Sequence, residues 1–153
     1  MSGQGDLRVE KNEIGMGYDL KWCSSGIWVT FFGEASIGDL DEINEEIVGN
    51  MQGDRMRFQL MDYSRAQRVI HPAAKMKLIA YLDRALIETL RLGSQRIYLA
   101  VVEDPECQIK TGFEAYAKVV ESSQWVPRLF KERAEAINWL EEMGYFLDAK
   151  LSD

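Results

Sequence analysis

The residues of this chain whose types and spacing could do chemistry are concentrated in one stretch, LMDYSRAQRVIHPAAKM, running from Leu60 to Met76. Asp62, Ser64 and His71 are the acid, hydroxyl and imidazole from which acid–base or nucleophilic chemistry would be assembled, and Tyr63 adds a phenol. Arg65, Arg68, His71 and Lys75 are donors that could instead surround an anion. They precede or open a helix that should begin at Pro72, whose free amides at Ala73 and Ala74 would point outward as they do toward bound anions. Pro72 itself has no N–H, so such a site would lean on side chains. The plainer alternative is that the arginines are solvated loop charges facing an acidic helix, and exposed ion pairs contribute little.

Other candidates are weaker. His71 is the single histidine, so a histidine metal site or a triad lacks partners. Glu103 and Asp104 end an apolar run, where α/β sheets place catalytic acids, but the following Pro105 marks them as turn formers. GMGY, at 15–18, lacks the third glycine and the following helix of a dinucleotide fingerprint. Cys23 and Cys107 stand at no metal or redox spacing, and we expect reduced side chains, Cys23 in a strand and Cys107 at a helix start. No cofactor is expected.

The elements that must position these residues follow from periodicity. GYDLKWC and IWVTFFG flank SSG as a β-hairpin, with Gly26 easing the turn. Ile37, Leu40, Ile43, Ile47, Val48 and Met51 recur at helical spacing, and Ser36 with Asp39 resembles a capping pair. Met56, Phe58 and Leu60 alternate in a strand from about Arg55 to Asp62. A helix from Pro72 should bury Ile79, Leu82, Leu86 and Leu90 and end at Gly93. IYLAVV is apolar on both alternations, as a covered central strand is. Ile109, Phe113, Tyr116, Ala117 and Val120 mark a third helix. QWVPRLF is a short strand whose Pro127 argues for an edge, and a last helix through Ala134, Ile137, Leu140 and Met143 stops at Gly144. Strand alternation sends Trp28 and Phe32 to the face opposite Ile27, Val29 and Phe31. That second face should serve a dimer contact, a partner or an apolar ligand, or else lie beneath the terminal helix.

The order is β-β-α-β-α-β-α-β-α, an α/β chain with a mixed sheet of about five strands and four helices. A chain of 153 residues, 46% hydrophobic, suits one domain, expected over 15–146, with a polar leader at 1–14 lacking fixed structure and a tail at 147–153. The leader has no apolar segment and IYLAVV is too short to span a bilayer, so a cytoplasmic protein without membrane insertion is expected. The net charge of −7 hides an asymmetry: residues 1–54 carry three Lys/Arg against eleven Asp/Glu, 55–77 six against one, and 78–153 nine against thirteen. Such a short basic block in an acidic chain suits a small anion or an acidic partner patch and is a poor fit to nucleic acid.

The element order, GEASIGDLDEI, LMDYS, IYLAVV and above all WVPRLFKERAEAINWLEEM resemble the SpoIIAA-like division of the STAS domains over roughly residues 15–146. The resemblance implies a mixed sheet with helices mostly on one side, and a bacterial or archaeal protein that works by binding. STAS domains typically act as protein-interaction switches, and some relatives are thought to bind nucleotides or apolar small molecules. In anti-sigma-factor antagonists a strand-end Asp leads to a Ser or Thr at the next helix start, whose phosphorylation blocks the partner. Asp62 matches the Asp. The acceptor position falls near Pro72 to Ala74, where no hydroxyl exists, and Ser64 comes too early. The expectation is a non-enzymatic regulatory, ligand-binding or protein-binding module without that switch, using Asp62, Tyr63, Ser64, Arg65, Arg68, His71 and Lys75 toward a protein partner or a small anionic or apolar ligand, with a homodimer also open. The alternative is a small enzyme or carrier for an anionic or apolar metabolite.

Overall fold

The computed structural model describes residues 17–50, 56–90 and 95–147. The polar leader, the first two residues of GMGY, Met51, Arg55, Gly93, the Leu90 side chain and the tail from Asp148 onward lie outside the described residues. Ten elements follow in order: β1 (Gly17–Trp22), β2 (Gly26–Ser36), α1 (Ile37–Gly49), β3 (Phe58–Asp62), β4 (Ala66–Ile70), α2 (Ala73–Leu90), β5 (Ile97–Val102), α3 (Ile109–Val120), β6 (Trp125–Phe130) and α4 (Arg133–Glu142). The mixed α/β architecture expected from sequence is present, with six strands instead of about five.

The strands run β1-β2-β3-β5-β6 across the sheet, β1 antiparallel to β2 and the rest parallel. The first hairpin closes as its SSG spacing suggests, with the Cys23 amide donating to the Gly26 carbonyl at 2.7 Å. Cys23 lies just past β1, buried. Gly26 is required less for turn flexibility than for contact: a Cβ there would stand 2.3 Å from the Phe58 carbonyl oxygen on the neighbouring strand. Pro127 sits in β6, which pairs only with β5 at the sheet edge, where a missing N–H is tolerated.

The additional strand is β4. It pairs with the far half of β2, from Gly33 to Ser36, after β3 has paired with the near half. Its burial alternates poorly, with Ala66 and Val69 inside and Gln67, Arg68 and Ile70 outside. Its other side is closed by a side chain: Gln108 Oε1 accepts from the Val69 amide at 3.0 Å and Gln108 Nε2 donates to the Gln67 carbonyl at 3.1 Å. A strand completed by one glutamine carries no period-two signature.

The two faces of the sheet are covered unequally. Ile27, Val29 and Phe31 meet α1, α2 and α3 through Leu40, Ile43 and Ile47, Met76, Ile79 and Ile87, and Ile109, Tyr116 and Val120. Trp28, Phe58, Leu60, Ala100 and Val102 lie beneath α4, against Ala136, Trp139 and Leu140. Trp28 is thus a core residue under the terminal helix. Burying a side chain of this size contributes about 1.5–3 kcal/mol. The helix ends behave as their caps demand. Ser36 and Asp39 exchange hydrogen bonds of 3.3 and 3.0 Å at the start of α1, and Gly144, at φ +97°, ends α4 while the Tyr145 amide reaches back to the Leu140 carbonyl at 2.9 Å.

Three helical stripes differ from expectation. Val48 on α1 is 64% exposed, and on α4 the buried set is Ala136, Trp139 and Leu140, with Ala134 and Met143 outside. On α2, Leu82 is 56% exposed and Leu86 only partly buried; the inner stripe is Met76, Ile79, Ala80, Asp83 and Ile87. That set has ideal helical spacing, but a carboxylate occupies its middle.

Candidate functional site

Asp62, the last residue of β3, is fully buried. Its Oδ1 accepts from the Ser64 amide at 2.9 Å, forming the turn that separates β3 from β4. Its Oδ2 accepts from Arg133 Nε at 2.9 Å, an ion pair that reaches the first residue of α4 across the sheet end. The Arg133 guanidinium also lies 5.3 Å over the Trp28 ring. The strand-end Asp therefore locks the terminal helix to the sheet, and both its oxygens are occupied.

Tyr63 is buried and stacks on Phe31 at 4.2 Å between ring centroids. Its hydroxyl lies 3.0 Å from His71 Nε2. Burial is the main influence on both. It raises the Tyr63 phenol well above its ordinary value, and it lowers His71, against smaller opposing contributions from the Ile70 backbone, Asp39 and Asp104. A phenol that keeps its proton donates to a neutral imidazole, which assigns the other proton to Nδ1. The His71 backbone is also pinned: a Cβ at Gly112 of α3 would stand 2.8 Å from the His71 carbonyl oxygen, so the glycine lets α3 approach the start of α2.

The remaining expected donors face solvent. Arg65 is exposed, with its guanidinium 6.0 Å over the Phe32 ring. Arg68, in the middle of β4, stands 3.8 Å from Glu34 on β2, a loose pair with side chains 71% and 38% exposed. Lys75 is exposed on the first turn of α2. The five residues of β4 span roughly 16 Å at about 3.3 Å each, so the strand that sequence reading treated as loop stands between Arg65 and the start of α2. Ser64 is half-buried in its turn and is separated from the α2 start by the whole of β4. The structure brings together Asp62 with Ser64, and Tyr63 with His71. Arg68 borders an open groove with His71, Pro72 and Ala73 at the start of α2, whereas Arg65 lies over Phe32.

Sequence reading passed over a second constellation. Asp83, on the inner stripe of α2, borders a cavity of about 50 Å³ between the sheet and helices α1, α2 and α3. Its Oδ2 accepts from the Tyr116 hydroxyl of α3 at 2.5 Å, and its Oδ1 from Asn44 Nδ2 of α1 at 3.4 Å. Its own carbonyl accepts from Trp125 Nε1 at 3.0 Å. Burial drives the carboxyl up to about 7, with the Tyr116 and Asn44 hydrogen bonds opposing, and Tyr116 rises with it. The available signal was spacing: Asp83 stands seven after Met76 and four before Ile87.

Asp104 resolves in favour of structure. Buried, it accepts from the Gln108 and Ile109 amides at 2.9 Å each and caps α3. Cys107 is exposed at φ 58° in the same turn. No group of three or more His, Cys, Asp or Glu able to hold a metal occurs among the described residues. No helix among them is long and apolar enough to cross a membrane.

No family model and no curated protein matches this chain. Among solved structures it is similar to an uncharacterized protein of the DUF3478 family with a SpoIIAA-like fold from Shewanella loihica PV-4. That chain is 15% identical, with 82% of this chain and 93% of that one covered and a TM-score of 0.44. No residue's role is carried over from it.

Proposed function

We propose that this chain is a non-enzymatic docking module of SpoIIAA-like type that meets a protein partner through the outer face of α2 and works without a phosphorylated hydroxyl at that helix's start. One observation carries the reading: Leu78, Tyr81 and Leu82 are 55%, 58% and 56% exposed at the i, i+3, i+4 spacing of a helix laid against a groove. A domain that buries Met76, Ile79, Ala80 and Ile87 on the same helix has no need of three further large apolar side chains on the outside.

Two features support the rest. The α2 start offers Pro72, Ala73 and Ala74, none of which can be phosphorylated. Asp62 is engaged by Arg133 and His71 by Tyr63, so the acid–base types of the loop form no common catalytic group. Lys75 and Lys77, exposed at the N-terminal end of the stripe, favour a partner with acidic residues beside its apolar contact.

Co-purification from the native host tests this with three chains: wild type, Leu78→Glu/Leu82→Glu, and Arg65→Ala/Arg68→Ala. The expected result is a protein retained by wild type and reduced at least tenfold by the α2 variant. Equal retention by the α2 variant overturns the reading. Loss with the arginine variant extends the surface to β4.

A further inference from the structure

We propose that the Asp83 carboxyl, hydrogen-bonded to Asn44 on α1 and Tyr116 on α3 beside a partly open cavity, is a proton-operated latch holding α1 against α2. The inference is independent of the docking reading, since it concerns the inner face of α2.

The geometry is that of a tie across three helices. Asp83 comes from α2, Asn44 Nδ2 from α1 at 3.4 Å, and the Tyr116 hydroxyl from α3 at 2.5 Å. The tie to α3 is backed by close helix packing and by Arg84, which donates to the Val119 carbonyl at 3.1 Å. The tie to α1 is the long one. Every group that borders the cavity with Asp83 is uncharged near neutral pH: Asn44 from α1, Tyr116 from α3, Gln59 and Tyr63 from the sheet, and otherwise apolar side chains. Asp83 is the one side chain among the described lining residues that would carry charge.

An ionised carboxylate there has two neutral donors and no cation, so most of its lost hydration is uncompensated. The cavity, at about 50 Å³, has room for about one or two waters. Further hydration requires α1 to move outward. Protonation removes the need: Oδ1 still accepts from Asn44 Nδ2, while the protonated Oδ2 donates to the Tyr116 hydroxyl oxygen, which reverses its role, so the apolar walls stay close. The proton thus favours the closed arrangement, and its loss favours opening at the weaker contact, the one to α1. Burial holds the folded-state carboxyl near 7, whereas a hydrated one titrates at about 4. The opening equilibrium of α1 should therefore rise roughly tenfold per pH unit between about 5 and 7 and level off above.

The test combines two readouts on the full chain. Carbon NMR of the Asp83 Cγ should show a midpoint close to 7. Hydrogen exchange of the α1 amides, corrected for the intrinsic pH dependence of exchange, should show the tenfold-per-unit rise in wild type and a flat profile in Asp83→Asn. Tyr116→Phe, which removes a donor to the charged form, should shift the Cγ midpoint upward. A wild-type midpoint in the ordinary carboxylate range, or the same exchange slope in Asp83→Asn, overturns the latch. Should Asp83→Asn not fold, the Tyr116→Phe midpoint decides, and one that does not move overturns it equally.

Discussion

Two buried aspartates divide this molecule. Asp62 lies at the end of β3 and Asp83 in the middle of α2, and both are almost completely removed from water. Asp62 meets a guanidinium at 2.9 Å and a backbone amide at 2.9 Å. Asp83 meets a phenol and an amide group and no cation. The first is a charge whose desolvation is compensated, and it serves as a rivet between the sheet and α4. The second is a carboxyl for which neutrality is the cheaper state, and burial delays its ionisation until about pH 7. Burial alone therefore does not decide what a carboxylate does; the number and charge of the donors that face it do.

The largest expected effect is on the unpaired member. Asp83 is raised from 3.8 to about 7, so the folded chain keeps a proton that the unfolded chain has already released. Its stabilising contribution is complete below the unfolded value and is lost as pH rises through the folded one. Urea unfolding of wild type should lose on the order of 4 kcal/mol between about pH 4 and pH 8 from this group, and Asp83→Asn should remove that slope. Next comes Arg133→Met, which removes the guanidinium from Asp62 and from the face of Trp28. It should cost about 3 kcal/mol by urea unfolding at pH 7, because a buried carboxylate loses its facing cation. The smallest effect should come from Asn44→Ala. Its 3.4 Å contact to Asp83 should be worth about 1 kcal/mol by thermal unfolding at pH 8 and less at pH 5. An equal loss at both values would mean that Asn44 senses no charge on Asp83.

The same contrast explains how far the fold and the candidate site could be read in advance. Elements with a clean period were legible: the hairpin, the Ser36 and Asp39 cap, IYLAVV between two neighbours, Pro127 at an edge and Gly144 at a helix end. The expected stripe on α2 put Leu82 and Leu86 inside and passed over Asp83. Rotating the helix to bury Leu82 and Leu86 keeps a carboxyl out of the core, and the chain instead buries Asp83 and leaves Leu82 outside. β4 escaped notice because its pairing is completed by Gln108, which is 39 residues from Val69. The loop stretch contains a strand that no local pattern announced, and Tyr63 and His71 turn inward at its two ends. Arg133, 71 residues from Asp62, lay beyond any local pattern.

What the amino-acid sequence determined by itself was the set of local choices: which segments extend, which coil, where helices start and stop, and that the α2 start lacks a phosphorylatable hydroxyl. These depend on backbone preferences and on neighbours within about four positions. Only the tertiary structure decided which carboxylate receives a cation, which face of α2 turns inward, and whether scattered donors converge. Those outcomes rest on desolvation and on distances between residues far apart in the chain, and neither quantity exists until the helices have packed on the sheet.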